Sequence, residues 1–346
     1  MNEFATLPDI LKPDARSRDA LLEVTDLCVR FPSDDGVVHA VEHVSFSVHA
    51  NETLGVVGES GSGKSVTSMA ILGLLPTYAL VSGSVKFRGE ELLGRSDKAM
   101  RSIRGDKIAM IFQDALTSLN PVFTVGRQIV EAIVVHQRIT KDAAKQRAIE
   151  LLELVGIPNP QDRFDQHPHQ FSGGMRQRAM IAMAIANEPD VLIADEPTTA
   201  LDVTIQAQVL DVLERIRERT NASIMLITHD LGVVAGVADR VMVMYAGHQV
   251  EVGGVDEIFY DGKHPYTRGL LESLPRLDRR NGTDQLHRIK GQPPSCVHLP
   301  PGCAFNPRCP HALPGLCDDT PPLLREVAPF HFSTCLRAED IYPELR

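Results

Sequence analysis

The segment that most limits the possible folds of this chain is the octapeptide GESGSGKS, residues 58–65. It matches the phosphate-loop pattern G-x-x-x-x-G-K-[ST], and the short apolar stretch TLGVV stands almost directly before it. A helical pattern, KSVTSMAILGLL, begins at Lys64, so that the N–H groups of the loop and the N-terminus of the helix would face one anion. The stretch therefore predicts a strand, a phosphate loop and a helix of an α/β fold.

Each residue type in this loop has a distinct task in binding a phosphate. Glycine lets the backbone turn its N–H groups inward, the ammonium group of Lys64 is expected to reach the β- and γ-phosphates, and the hydroxyl of Ser65 is expected to bind Mg²⁺. The alternative is a plain glycine-serine loop with a solvated lysine, which leaves the flanking strand and helix patterns unexplained. The predicted nucleotide contacts are Gly58, Glu59, Ser60, Gly61, Ser62, Gly63, Lys64, Ser65 and Val66.

A second chemical site is predicted at the end of the apolar stretch DVLIAD, residues 190–195. Such a stretch is typical of a buried strand, which would deliver the carboxylate of Asp195 to the Mg²⁺ shell. Glu196 follows at once and is expected to be the general base that polarises the attacking water. A strand that ends in Asp-Glu usually leads only into a loop, but the phosphate loop upstream favours the catalytic interpretation.

Strand-like and helical patterns alternate along most of the chain. Predicted strands include LLEVTDLCVRF, AVEHVSFSV, KIAMIF, SIMLITHD and RVMVMYAG; a helix-rich stretch runs from about 125 to 187 with a loop over 158–168. This alternation predicts an α/β fold whose sheet is largely parallel in its core. The predicted organisation is a flexible arm over 1–19, a main domain over 20–262 and a C-terminal extension over 263–346 that is loop-like from 291.

Charge and hydropathy narrow the class of partner. The formal net charge is −10, whereas dedicated nucleic-acid binders usually carry a basic excess, so no nucleic-acid partner is expected. No apolar run reaches the 18 residues that read as a membrane span, and the N-terminus lacks the apolar region of a secretory signal. We therefore expect a cytoplasmic chain, in which stable disulfides are disfavoured.

A longer block, HQFSGGMRQRAMIAMAIANEPDVLIADEPTTALD, is more specific than either site alone. It resembles the signature region of ATP-binding cassette ATPases: FSGGM matches their LSGGQ-type signature, with Phe171 for Leu and Met175 for Gln, and ALD, residues 200–202, resembles their D-loop. The resemblance covers nearly the whole chain from about residue 21. It implies a P-loop ATPase with a RecA-like mixed sheet core, an antiparallel β subdomain and a helical signature subdomain at about 114–187.

The resemblance also implies a role for each matching residue. Ser172, Gly173 and Gly174 would bind the γ-phosphate that the P-loop of a partner subunit holds, a task suited to a hydroxyl and exposed N–H groups at the start of a helix. The other implied roles are Gln113 on Mg²⁺ and the attacking water, His229 on the γ-phosphate, Asp202 across the dimer and Phe31 stacked on adenine.

Plainer interpretations exist for these residues: a serine N-cap before a glycine turn, polar residues at strand ends, and a core phenylalanine. With the implied roles, the predicted catalytic residues are Lys64, Gln113, Glu196 and His229, and the predicted Mg²⁺ contacts are Ser65, Gln113 and Asp195.

Further motifs narrow the resemblance to the ATP-binding subunits of dipeptide and oligopeptide permeases. These motifs are FSGGMRQR, PTTALDVTIQAQ, VMYAG, HPYT at residues 264–267, and the tail PPGCAFNPRCPHALPGLC. That family implies an ATP-driven peptide importer on the cytoplasmic face of the bacterial membrane. Its partners would be a second, non-identical ATPase subunit, two membrane subunits and an extracytoplasmic binding protein. Alternatives are related importers of nickel, glutathione or oligosaccharides, and soluble ATPases of iron–sulfur assembly or nucleic-acid processing.

Five of the six cysteines lie in the last 51 residues. Four thiolates suit either zinc or an iron–sulfur cluster, and free thiols in a loose tail are the third interpretation. The permease resemblance implies a [4Fe–4S] cluster on Cys303, Cys309, Cys317 and Cys335, which are separated by five, seven and seventeen residues. Cys296 is outside the family pattern, and His298 and His311 are possible substitute ligands.

Overall fold

The computed structural model describes residues 20–114, 118–199, 202–274 and 288–342, in two compact units. The first unit combines the N-terminal strands up to Ser47 with Leu54–Leu93 and everything from Thr228 onward. The second unit consists of Val48–Thr53 and Gly94–Ile227. The predicted N-terminal arm and the first two residues of the ALD motif lie outside the described residues.

The first unit contains a four-stranded sheet of order β2-β1-β4-β5. Its strands are β1 Ala20–Ser33, β2 Gly36–His49, β4 Leu80–Phe87 and β5 Glu90–Glu91. β1 and β4 run antiparallel, with an irregularity between Thr25 and Cys28. Gly83 lies opposite that point with φ +106°, and a Cβ there would meet the carbonyl oxygen of Asp26 at 2.4 Å, so the strands pair this closely only because residue 83 is glycine.

A second group of strands in the first unit positions the phosphate loop. They are β3 Thr53–Val57, β9 Arg240–Tyr245, β10 His248–Gly254, β11 Arg325–Ala328 and β12 His331–Ser333. β3 runs parallel to β9, while β9, β10, β12 and β11 pair antiparallel in that order. The helices of the unit are α1 Lys64–Ile71, α8 Leu231–Ala235, α9 Val255–Asp261, α10 Pro265–Glu272 and α11 Ala338–Ile341.

The second unit is a parallel sheet with most of its helices in one long insertion. β6 Ile108–Ile111, β7 Val191–Asp195 and β8 Ser223–Thr228 are parallel in the order β6-β7-β8, and every residue of β7 and β8 is buried. Buried apolar runs of this kind are typical of parallel strands covered on both faces. The helices are α2 Asp97–Met100, α3 Val125–His136, α4 Lys141–Leu154, α5 Pro160–Phe164, α6 Gly173–Ala184 and α7 Val203–Thr220.

Three local expectations differ from the structure. The helix expected to run to about residue 75 ends at Ile71, because Gly73 takes a left-handed backbone conformation and Pro76 follows. The loop expected over 158–168 contains the short helix α5, which begins with Pro160 at its first position. The tail expected to be loop-like contains β11, β12 and α11. Among the described residues, no helix is long and apolar enough to cross a membrane.

Candidate functional site

The phosphate loop connects the buried strand β3 to helix α1 in the first unit. Lys64 is the first residue of that helix, and its side chain is 4% exposed. Its ammonium group donates to the carbonyl oxygens of Gly58 at 2.8 Å and Glu59 at 3.0 Å. The loop therefore curls around its own lysine, with one fixed positive charge at the start of a helix, where an anion is also favoured by the helix dipole.

Two glycines of the loop are required by close backbone approach. A Cβ at Gly58 would lie 2.1 Å from the carbonyl oxygen of Met244, and one at Gly63 would lie 2.5 Å from that of Ala40. Gly63 also has φ +100°, where residues other than glycine are strained. By contrast, a Cβ at Gly61 would meet no atom within 4 Å. The loop is thus held by backbone atoms of two neighbouring segments of the first unit.

In the second unit, β7 brings two carboxylates to its C-terminal end. Asp195 is the last residue of the strand and is 3% exposed, while Glu196 is half-buried with φ +47°. The Glu196 carboxylate accepts a hydrogen bond from the side-chain amide of Gln113 at 2.9 Å and from the hydroxyl of Thr199 at 2.7 Å. The predicted base Glu196 and Gln113 are therefore in direct contact.

The signature residues form the start of helix α6, also in the second unit. Ser172 is the N-cap, with its hydroxyl accepting from the N–H of Met175 at 3.3 Å. Ser172 and Gly173 are exposed, whereas Phe171 is 3% exposed, so the Phe for Leu departure is accommodated in the core. A Cβ at Gly174 would approach Cγ2 of Ile205 to 2.8 Å.

The remaining predicted residues occupy element ends. Asp202 caps helix α7 by accepting from the N–H of Ile205 at 3.0 Å. His229 is exposed directly after β8. Phe31 is half-buried near the end of β1, and Tyr78 packs edge-to-face against it with ring centroids 6.2 Å apart. Phe31 is thus outside the buried core, and Tyr78 is an aromatic neighbour that the sequence did not suggest.

The four predicted cluster cysteines line one cavity in the C-terminal part of the first unit. Cys303, Cys309, Cys317 and Cys335 share this cavity with His264 and His311. All four cysteines are free thiols. Burial raises the pKa of Cys309 to about 11 and that of Cys335 to about 12, and the nearby thiols add to both shifts. A cation in the cavity would offset this cost by stabilising thiolates.

Cys296, which is not among the four predicted cluster ligands, lies outside the cysteine cavity. The sulfur of Cys296 is 4.0 Å from the carbonyl oxygen of Gly61 in the phosphate loop, and the residue does not line the cysteine cavity. His298 does not line it either, whereas His311 does.

The cavity thiols lie farther apart than the ligands of a tetrahedral zinc site. Tetrahedral zinc with sulfur at 2.3 Å requires ligand sulfurs about 3.8 Å apart. Among the described residues, the only three donors within 4.8 Å of one another are Asp26, Cys28 and His43, on the antiparallel sheet, so no three of the cavity thiols are that close. A [4Fe–4S] cluster binds each thiolate to a different iron and so tolerates wider separation.

Sequence reasoning missed the contacts that the C-terminal region makes with the phosphate loop. Arg308 forms an ion pair with Glu59, and the hydroxyl of Tyr266 accepts from the N–H of Glu59 at 2.9 Å. The available signals were the tail motif, which contains Arg308, and the HPYT motif, which contains Tyr266. The HPYT motif forms a buried helix start: Nδ1 of His264 accepts from the N–H of Tyr266 at 3.1 Å, and Pro265 opens α10.

A strand, a phosphate loop whose lysine opens a helix, and a parallel sheet carrying paired carboxylates together define a P-loop ATPase cassette. Two solved structures share this fold. One is a dimeric bacterial ABC transporter cassette, 27% identical with a TM-score of 0.61, covering 68% of this chain and 98% of that one. The other is cbiO1 of Clostridium perfringens, part of the cbiONQ transporter complex, 27% identical with a TM-score of 0.60 over 70% of this chain and 92% of that one. The predicted fold class is confirmed.

Family models match in two places. Residues 41–199 match the ABC transporter family, and residues 250–317 match the C-terminal region of oligopeptide and dipeptide transporters. The chain belongs to the ABC transporter family, in its branch of oligopeptide and dipeptide transport ATP-binding proteins.

Curated relatives support this placement along most of the chain. The dipeptide transport ATP-binding protein DppD of Bacillus subtilis is 54% identical over 87% of this chain and 89% of its own length. The oligopeptide transport ATP-binding protein OppD of Escherichia coli is 48% identical over 92% of this chain and 94% of its own length. OppD of Mycobacterium tuberculosis is 56% identical over 92% of this chain, which spans about half (52%) of that longer relative.

Proposed function

We propose that this chain is an ATP-hydrolysing motor subunit of a bacterial importer for dipeptides or oligopeptides. The observation that carries the proposal is the phosphate loop, which wraps its buried lysine at the start of α1 in a chain that matches the C-terminal region of peptide transporters. The names of relatives from Bacillus subtilis and Escherichia coli, given for dipeptide and oligopeptide transport, support the substrate class.

In this proposal the residues of the first unit hold the triphosphate. Lys64 would exchange its carbonyl partners for the β- and γ-phosphate oxygens, and Ser65 would bind Mg²⁺. Phe31 would stack on the adenine, and His229 would contact the γ-phosphate. Phosphoryl transfer needs little covalent chemistry from the protein, so positioning and charge neutralisation supply most of the catalysis.

The residues of the second unit would handle the metal and the water. Asp195 would complete the Mg²⁺ shell, and Glu196 would accept the proton of the attacking water. Gln113 would contact the Mg²⁺ and the attacking water. It would also orient the Glu196 carboxylate through the hydrogen bond between the two side chains. The exposed N–H groups around Ser172 and Gly173 would bind the γ-phosphate held by a partner subunit, with Asp202 contributing across the same dimer.

The proposed assembly contains a second, non-identical ATPase subunit, two membrane subunits and an extracytoplasmic peptide-binding protein. ATP binding would close the two ATPase subunits around two nucleotides, and hydrolysis would reopen them. Such motion at the cytoplasmic face of the membrane would alternate the access of the transport path. The formal charge of −10 agrees with the absence of nucleic acid from this list of partners.

Reconstitution tests the proposed transport. We expect the assembled complex in proteoliposomes to accumulate labelled di- and oligopeptides when ATP is supplied, and to stop when Lys64 is replaced by Ala. Uptake of nickel, glutathione or oligosaccharide in place of peptide would contradict the substrate assignment while leaving the ATPase assignment intact.

We further propose that Cys303, Cys309, Cys317 and Cys335 hold a [4Fe–4S] cluster. Support comes from their shared cavity, their free thiols and a spacing in which no three of them lie within 4.8 Å of one another. When bound, such a cluster supplies cross-links between otherwise separate turns of chain and hence folding free energy. The role proposed for it here is structural. Chemical analysis for iron, sulfide and zinc after anaerobic purification tests it; one zinc and no iron would favour the zinc alternative.

A further inference from the structure

A partly buried ion pair joins the C-terminal region to the phosphate loop within the first unit. The guanidinium of Arg308 donates to the two carboxylate oxygens of Glu59 at 2.6 and 3.0 Å. The Arg308 side chain is 5% exposed and that of Glu59 is 28% exposed. A bidentate ion pair of this kind fixes the relative orientation of the two side chains as well as their distance, because both hydrogen bonds must form together.

Contacts from three side chains reach all the polar groups of Glu59. Its carboxylate is held by Arg308, its N–H is held by the Tyr266 hydroxyl, and its carbonyl oxygen accepts from Lys64. Tyr266 is itself fully buried, with its ring 4.6 Å from that of Tyr245 and 5.4 Å from that of Phe305 between centroids. The second residue of the phosphate loop is therefore positioned by a rigid aromatic group and a cation.

We propose that Arg308 is a positioning residue for ATP binding, acting through Glu59. Two physical effects follow from its position. It orders the loop before nucleotide arrives, which lowers the entropy cost of binding. It also neutralises a carboxylate in the loop that is proposed to hold the triphosphate, where an unpaired negative charge would repel the phosphates. Arg308 is not expected to touch the nucleotide. It lies within the tail motif PPGCAFNPRCPHALPGLC but is not among the predicted nucleotide contacts.

The same short segment carries two of the cavity cysteines. Cys309 directly follows Arg308, and Cys303 lies two residues before Phe305. Given the cluster proposed above, on which this step rests, occupancy of the cavity and nucleotide affinity would be linked, since each stabilises the same placement of residues 303–309. Linkage of this kind acts in both directions.

The main test compares the nucleotide Kd of full-length variants, measured with a fluorescent ATP analogue. Arg308→Gln is expected to raise the Kd about tenfold, because losing a charged hydrogen-bond partner typically costs at least that factor. Adding Glu59→Gln to Arg308→Gln should recover part of the affinity, since it removes the unpaired negative charge. In the assembled complex, Arg308→Gln should raise the KM for ATP far more than it lowers kcat.

A matched control separates positioning from a general loss of fold. Arg147→Gln breaks an ion pair with Glu188 in the second unit and should leave the Kd unchanged. The proposal is overturned if Arg308→Gln binds nucleotide like the unmodified protein. It is also overturned if its affinity loss is not relieved by Glu59→Gln and tracks a fall in Tm, which would indicate a structural role only.

Iron removal tests the linkage separately from the cluster. In iron-containing protein, chelation should raise the Kd of the unmodified chain and have little further effect on Arg308→Gln; an equal rise in both would overturn the linkage. If the purified protein contains no iron, the cluster proposal fails, while the effect of Arg308→Gln on nucleotide affinity still decides the role of Arg308.

Discussion

The side-chain amide of Gln113 donates a 2.9 Å hydrogen bond to the carboxylate of Glu196. The hydroxyl of Thr199 donates to the same oxygen at 2.7 Å, so two donors from different loops orient one carboxylate. Glu196 also has φ +47°, an unusual backbone conformation for glutamate, and such outliers often mark functional positions. The local geometry is what a positioned general base requires.

Replacing Glu196 by Gln should keep ATP binding and lose turnover. Gln preserves shape and can still accept from Gln113, but it cannot take a proton from water. We expect the kcat of the assembled complex to fall about 10²–10⁴-fold, measured by phosphate release. Glu188→Gln is the matched control, since Glu188 is an exposed glutamate in the same unit with φ +53°. Wild-type turnover by Glu196→Gln would show that another group is the base.

The two signature glycines should respond differently to alanine. Gly174→Ala places a Cβ 2.8 Å from Cγ2 of Ile205, and overpacking of this kind costs about 1–3 kcal/mol of unfolding free energy. Gly173→Ala meets no atom within 4 Å, so its stability should stay at or above that of the unmodified chain.

Activity should then separate from stability at Gly173. Its exposed position is where the γ-phosphate held by a partner subunit is proposed to approach. Gly173→Ala should therefore lower the ATPase activity of the complex without lowering the urea midpoint or the Tm of unfolding. Full activity in Gly173→Ala would argue against close approach of the phosphate at this glycine.

The subunit purified alone should be a weak ATPase, because its phosphate loop and its signature are proposed to serve different nucleotides. Adding the second ATPase subunit and the membrane subunits should raise the rate of phosphate release. A strictly monomeric sample, verified by light scattering, that hydrolyses ATP as fast as the complex would refute the shared site.

The cysteine variants should fall into two groups. Ser in place of Cys303, Cys309, Cys317 or Cys335 should each reduce bound iron, because all four thiols line the same cavity. Cys296→Ser is the control and should retain iron, since its sulfur lies beside Gly61 in the phosphate loop. Iron content and visible absorbance of anaerobically purified variants are the measurements. Iron loss in Cys296→Ser alone would contradict the assignment.

Acid should destabilise the first unit through His264. Burial lowers the pKa of this histidine from 6.5 to about 4, so it is neutral in the fold at pH 7. Below pH 6.5 the unfolded chain takes up a proton that the folded chain does not, and stability falls as the pH drops toward 4. The loss at pH 5 is about 2 kcal/mol.

Urea unfolding at pH 7 and pH 5 checks this sign. His264→Asn should show a smaller loss between the two pH values than the unmodified chain, whereas replacing the exposed His169 by Asn should not change the difference. An equal pH dependence in His264→Asn would mean that other groups cause the acid sensitivity.

Sequence patterns predicted the elements that are local in the chain. The phosphate loop, the carboxylate pair and the signature are each short patterns whose chemistry is local, and the strands that carry them are buried apolar runs. The ion pair between Glu59 and Arg308 was not predictable, because 249 positions separate the partners and a bidentate pair leaves no mark in either neighbourhood. The left-handed backbone at Glu196 was equally hidden, since glutamate has no preference for it.

The C-terminal tail contains a strand that sequence patterns could not predict. Its prolines and glycines predict loops, and most of it is irregular. Yet the tripeptide HFS forms β12, because its three residues are buried against β10. A three-residue strand whose outer positions are His and Ser has no periodicity to detect; its stability comes from distant partners such as Glu251, which accepts from Nε2 of His331 at 2.7 Å.

Strand β12 also decides where the polypeptide can be shortened. Cutting the chain after residue 317, where the matched family region ends, would remove His331 and leave Glu251 a fully buried carboxylate without that partner. It would also uncover the backbone of β10, which now pairs through Val252 with Phe332 and through the carbonyl of Val250 with the N–H of Thr334. An open edge beside a buried charge invites aggregation, so soluble expression should require the chain to extend through at least Thr334.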